Sequence, residues 1–133
     1  MGYTTHVTGA FAIEPPLTWN EFKDSEFAPH NVQGSWEQSL ILCVDEETVD
    51  TDDGPLLRRT AKSLAMREID EYRERGLVAE AQRAIDSFPG HTFTGRLECE
   101  GEENTDIWRV VVRDGRAVRV EPRIVWPDED GSV

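Results

Sequence analysis

A chain of 133 residues matches one domain, long enough to bury about two thirds of its unfolded surface without a disulfide or a metal staple. Hydrophobic residues make up 38% and charged ones 31%, the composition of a folded globular protein rather than a disordered one. The 27 acidic residues against 14 basic ones leave a formal charge of -13, which repels phosphate backbones and anionic membranes and argues against direct nucleic-acid binding. No apolar run is long enough for a membrane span, and the opening MGYTTHVTGAF lacks the basic-then-apolar pattern of a secretory leader. Cys43 and Cys99 each sit in an apolar run with no CxxC spacing, so they read as two free, buried thiols in a reducing cytoplasm.

In chain order, Tyr3, Val7, Phe11 and Ile13 share one parity while Thr4, His6 and Thr8 share the other, which predicts a half-buried strand stopped by Pro15-Pro16. In PPLTWNEF, Thr18 is placed to cap a helix with Glu21 reaching back, and Leu17 can pack on Phe22 as a hydrophobic staple. That short helix gives way to a loop, APHNVQGS. The run Leu40 to Val44 is apolar on both parities, as in a central strand covered on both faces. Asp53-Gly54 marks a reversal into a partner strand over Leu56 to Ala65. From Arg67 to Phe88, Ile69, Tyr72, Leu77, Ala81, Ala84, Ile85 and Phe88 form one apolar stripe, a helix that Gly76 can divide and Pro89-Gly90 ends.

Phe93, Leu97 and Cys99 then alternate with polar residues as a one-sided strand, followed by the turn GEENT. Trp108, Val110 and Val112 define the next buried face, and Val118, Val120, Ile124 and Trp126 that of the last strand. For the hairpin between them, a three-residue loop with Gly115 in a bulge sets Val110 opposite Val118 and Arg109 opposite Arg119. This register is preferred to a two-residue Asp114-Gly115 turn, which sets Val110 opposite Arg119. The predicted order over residues 1–127 is β-α-β-β-α-β-β-β, followed by a polar tail, 128–133. It is an α+β two-layer sandwich, a mainly antiparallel sheet with two helices on one face, ferredoxin-like with an added C-terminal hairpin.

Among residues able to carry chemistry, His6, His30 and His91 lie in distant segments with no paired spacing. They read as a solvent-facing strand residue, a loop residue and a residue just past a helix end, with no metal site. Asp45, Glu46, Glu47, Asp50, Asp52 and Asp53 crowd one hairpin, but aligning Gly54 with the turn glycine of a calcium loop puts Val49 at a ligand position. A second acidic group, Glu98, Glu100, Glu102, Glu103 and Asp106, surrounds the GEENT turn, too exposed for a carboxylate pair with one shifted pKa. Arg109, Arg113, Arg119 and Arg123 form a row on the last hairpin, read as a salt lattice with Glu98 and Glu121 or as an anion site. No dinucleotide, phosphate-loop, nucleophile-elbow or zinc-protease motif occurs, so no catalytic residue and no cofactor is assigned.

The stretches MGYTTHVTGAFAIEPPLTWNEFKDS, EETVDTDDGPL and FPGHTFTGRLECEGEENTDIWRVVVRDGRAVRVEPRIVW resemble an uncharacterised family, a domain of unknown function, of small acidic proteins of actinobacteria and their phages. The resemblance implies a cytoplasmic accessory role, linked to phages or mobile elements, and carries over no site residue. Two functions are weighed. One is a non-enzymatic factor that docks an acidic face, Glu98, Glu100, Glu102, Glu103 and Asp106 with Asp45, Asp50, Asp52 and Asp53, on a basic protein partner. The alternative is a binder of a small anionic ligand, or a simple hydrolase, using Arg109, Arg119 and Arg123 in a pocket between sheet and helices. A concave site with converging polar groups favours the second, and a flat acidic face the first.

Overall fold

The computed structural model describes residues 4–32, 38–67, 69, 72, 76–103 and 106–127. Six strands form one open antiparallel sheet: β1 (His6–Thr18), β2 (Leu40–Thr51), β3 (Gly54–Met66), β4 (Thr92–Glu100), β5 (Ile107–Arg113) and β6 (Arg116–Val120). Their order across the sheet is β2-β3-β1-β4-β5-β6, so β3 lies between β1 and β2, and the C-terminal hairpin extends the sheet beyond β4. Among the described residues three short helices accompany it: α1 (Trp19–Phe22), α2 (Pro29–Val32) and α3 (Leu77–Ser87).

The alternation in the sequence sorts the two faces. Phe11, Ile13 and Leu17 of β1 are buried, with Phe93, Leu97 and Cys99 of β4, Trp108 and Val110 of β5, and Ala61 and Leu64 of β3. They form one cluster with Phe22, Phe27 and the α3 stripe Leu77, Ala81, Ala84 and Phe88. Each fully buried Phe or Leu contributes about 1.5–3 kcal/mol of transfer free energy, so this layer is the main source of stability. The opposite face, with Thr8, Ala10, Ala12, Cys43, Glu98 and Arg109, carries no helix among the described residues and is exposed.

The N-terminal cap of α1 matches the sequence reading. The Glu21 carboxylate accepts the Thr18 N–H at 3.0 Å and the Thr18 hydroxyl at 3.0 Å, while Leu17 and Phe22 are both buried. Several expectations are overturned. β1 does not stop at the prolines but runs through them to Thr18, because a register shift between Ala12 and Leu17 lets the strand bend while staying paired to β3. The loop after α1 contains the helical turn α2, anchored by buried Val32. Of the helix expected over Arg67 to Phe88, α3 supplies the part from Leu77, entered through Gly76 in the left-handed conformation (φ 64°), while Arg67, Ile69 and Tyr72 are not helical and residues 68, 70, 71 and 73–75 lie outside the described residues.

β2 is not central. It is an edge strand covered on one face only, which buries Leu40 and Leu42 but leaves Cys43, on the other face, exposed, whereas Cys99 is buried as expected. A thiol reagent in native buffer should therefore label Cys43 rapidly and Cys99 only on unfolding; two fast thiols, or none, would contradict this placement.

The C-terminal hairpin also differs. Val110 pairs with Arg119, Val111 with Val118 and Arg113 with Arg116, the register of a two-residue turn rather than a bulge. Asp114 (φ 52°) and Gly115 (φ 76°) are both left-handed, the turn whose twist matches that of the flanking strands, and Asp tolerates that region better than most residues. The last strand ends at Val120, and Ile124 and Trp126 are exposed rather than core.

Candidate functional site

Strand register gathers charged residues on the helix-free face. Thr8 pairs with Glu98 and Glu98 with Arg109, while one step along the strands His6 pairs with Glu100 and Glu100 with Ile107. Just after β6, Glu121, Pro122 and Arg123 form one wall of a groove over these rows, with a volume of about 490 Å³. Its lining mixes the apolar Ile107, Val120 and Pro122 with the carboxylates of Glu98, Glu100 and Glu121, the guanidiniums of Arg109 and Arg123, the His6 imidazole and the Thr8 hydroxyl. Glu98 Oε1 lies 3.2 Å from Arg96 Nε and 3.4 Å from Arg109 Nη2, so part of the expected salt lattice is present. These pairs are about half exposed, where each contributes well under about 1 kcal/mol, so a ligand can displace them. Among the described residues, Glu100 and Arg123 have no ion-pair partner.

The structure brings together only some of the residues singled out in the sequence. Glu98, Glu100, Arg109 and Arg123 line this one groove. Arg119 does not join them, because the two-residue turn places it opposite Val110 on the other face. There its guanidinium lies 4.5 Å from the Trp108 ring centroid and pairs with Glu121 at 3.1 Å. The expected facing of Arg109 and Arg119 is thus absent, and Arg109 faces Val120. Beside the groove, Glu102 accepts the Thr4 N–H at 2.9 Å, and Glu103 and Asp106 close their turn through an Asp106 N–H to Glu103 carbonyl bond of 3.0 Å.

The other acidic group is not part of this site. Asp45 pairs with Lys62 at 3.3 Å, Glu46 with Arg59 at 2.6 Å and Glu47 with Arg58 at 3.1 Å, a ladder that neutralises the hairpin's shaft. Asp50, Asp52 and Asp53 sit at its tip. Since Ala10 pairs with Ala65 and Thr18 with Thr60, the tip lies at the end of the sheet opposite the 101–106 turn. The two acidic groups therefore cannot form one continuous docking face.

Two ionisable constellations escaped the sequence reading. Glu80, on α3, is buried, and its carboxylate accepts the N–H groups of Ser39 (2.9 Å) and Leu40, tying α3 to the start of β2. Burial pushes its pKa above the ordinary carboxylate value, against the lowering effect of the Leu40 and Ser39 N–H groups. The signal was present in the sequence, since Glu80 falls on the apolar stripe between Leu77 and Ala84.

His91 follows the Pro89-Gly90 turn as expected, but it is not a solvated residue at a helix end. Its side chain is only 7% exposed, with Nδ1 2.6 Å from the Pro15 carbonyl oxygen and Nε2 2.6 Å from Glu21 Oε2. Two acceptors facing two ring nitrogens call for both N–H groups, that is, the imidazolium. Burial opposes that charge, but the bonds to Glu21 and Pro15 outweigh it and hold the His91 pKa above its usual value. Glu21 is lowered by the Thr18 N–H and by His91. This pair locks α1 and the start of β4 onto the β1 prolines.

Among the described residues, no helix is long and apolar enough to cross a membrane. The model of one protein family, described as a family of unknown function, matches residues 1–133. No curated protein and no solved structure matches the chain.

Proposed function

The chain belongs to that family of unknown function, DUF6205, and we propose that the protein is a non-enzymatic binding factor that grips a partner protein in the groove beside Glu121–Arg123. The observation that carries this reading is the convergence of carboxylates and guanidiniums around an apolar patch. Such a mixture of charged and apolar groups suits a segment of polypeptide better than a uniformly charged ligand. A basic side chain of the partner meets Glu100, an acidic one meets Arg123, and an apolar one rests on Ile107 and Pro122. The formal charge of -13 steers partners with a basic surface toward the chain and makes association sensitive to salt. The acidic turn beside the groove, with Glu102, Glu103 and Asp106, contributes to that field, whereas Asp45 and its paired neighbours on the far hairpin add less.

Capture from host lysate with the tagged wild type and with the double charge reversal E100K/R123E tests the assignment. The expected result is a protein retained by the wild type, released as NaCl rises and lost with the variant. Equal capture by both would place the contact elsewhere. A second reading is favoured by the groove's volume, which lies in the range of small-molecule sites. In it, Arg109 and Arg123 hold a small anion, and phosphate or a dicarboxylate raises the melting temperature of the wild type but not of R109Q/R123Q.

A further inference from the structure

The β2–β3 hairpin projects beyond its neighbours. Pairing between β1 and β3 ends at Thr18 and Thr60, after which the chain turns into α1, so among the described residues β3 from Gly54 to Arg59 has a strand on one side only. Its other edge borders a notch of about 370 Å³ lined by Trp19, Asn20, Leu56, Leu57, Arg58 and Arg59. Leu56 and Leu57 are 53% and 52% exposed and Trp19 is also open to solvent, an apolar surface beside an unpaired strand edge.

At the opposite end of the sheet, the segment after β6 holds a matching surplus. Ile124 is 84% exposed and Trp126 63%, with Val125 exposed between them. Pro122 and Pro127 bracket the segment and disfavour its folding into a helix. In the sequence it continues into Asp128-Glu129-Asp130, opposite in charge to Arg58 and Arg59. Those two arginines are held by exposed pairs to Glu47 and Glu46, weak enough to exchange partners.

We infer that the C-terminal segment Arg123–Pro127 of one copy of this chain adds as a strand to the β3 edge of a second copy, with Trp126 seated in the Trp19–Leu57 notch. The fold decides that the occupant comes from another copy. Val120 lies four strands from β3 and at the other end of the sheet, roughly 30 Å from the notch at about 4.8 Å per strand and 3.3 Å per residue. The six residues from Val120 to Trp126 reach at most about 20 Å. Backbone pairing supplies the affinity and the apolar side chains set the register, as in other strand additions. Because two strongly acidic chains are brought together, screening strengthens this association, the opposite of the salt response expected for a basic partner in the groove. A failure of one reading therefore leaves the other standing.

Sedimentation equilibrium of the full chain across rising NaCl is the test. The wild type should show a concentration-dependent mass above the 15.1 kDa monomer, increasing with salt. Trp126→Ala and Leu57→Glu, both at exposed positions, should each weaken association at least about tenfold while leaving the circular dichroism unchanged. An equimolar mixture of the two variants should regain association, because the intact arm of the L57E chain fits the intact notch of the W126A chain. A wild type that stays monomeric at every salt concentration, variants that associate like the wild type, or a mixture no better than its components would each overturn the proposal.

Discussion

Glu80→Ala is expected to destabilise the fold by about 3 kcal/mol, whereas Glu80→Gln should cost about 1 kcal/mol or less at neutral pH. Alanine leaves the Ser39 and Leu40 N–H groups buried without their acceptor and opens space under α3. Glutamine keeps a carbonyl oxygen for them and removes the cost of burying a charge. The pH dependence follows from the raised pKa of Glu80, whose folded state binds its proton more tightly than the unfolded chain does. Its favourable contribution is complete below the unfolded value of 4.5 and is lost as pH rises through the higher folded value. Denaturant melts of wild type and E80Q across that window should show the loss in the wild type alone. Equal destabilisation by alanine and glutamine would sink the account, since it would mean that the acceptor is not what matters.

His91→Ala is expected to cost about 2 kcal/mol at pH 5.5, a figure kept low because the Glu21 side of the pair is partly exposed. The signs of the two shifts define the window. The raised His91 pKa gives a contribution complete below 6.5 and lost as pH rises through its folded value, and the lowered Glu21 pKa gives one complete above 4.5 and lost as pH falls through its folded value. Together they are fully present only between pH 4.5 and 6.5. Thermal melts should show H91A losing the alkaline limb of the wild-type profile, E21Q losing the acid limb and the double variant losing both. An H91A profile parallel to the wild type at every pH would show that the ring acts by packing alone.

These two residues mark the boundary of what the sequence made legible. Local signals were readable: the alternation of Phe93, Leu97 and Cys99, the Thr18–Glu21 cap and the reversal at Asp53-Gly54 all depend on neighbours within a few positions. The His91–Glu21 pair joins residues 70 positions apart, and no pattern in either segment announces the other. The C-terminal hairpin failed for a different reason. Burial parity favoured setting Val110 opposite Val118, but Asp114 accepts the left-handed region, and Arg119 tolerates the inner face because Trp108 gives its guanidinium a surface to lie on. Most of the groove's chemistry, Glu98, Glu100, Arg109 and Arg123 with His6 and Glu121, was visible as residue types. Their convergence was not, since it depends on where β6 ends and on how residues 121–123 lie beside the sheet.

One contact on α3 bears on how the molecule ages. The Gln82 amide donates to the Gly115 carbonyl at 3.2 Å and accepts the Ala117 N–H at 2.7 Å, so a single side chain stands where a seventh strand would begin. Its nitrogen also donates to Asp86 Oδ1 at 3.0 Å. Hydrolysis of that amide to a carboxylate would leave an anion facing both a carbonyl oxygen and the Asp86 carboxylate. The carboxylate would keep the Ala117 N–H but repel the Gly115 carbonyl and the Asp86 carboxylate, so slow deamidation at one position would loosen the contact between α3 and the edge strand β6.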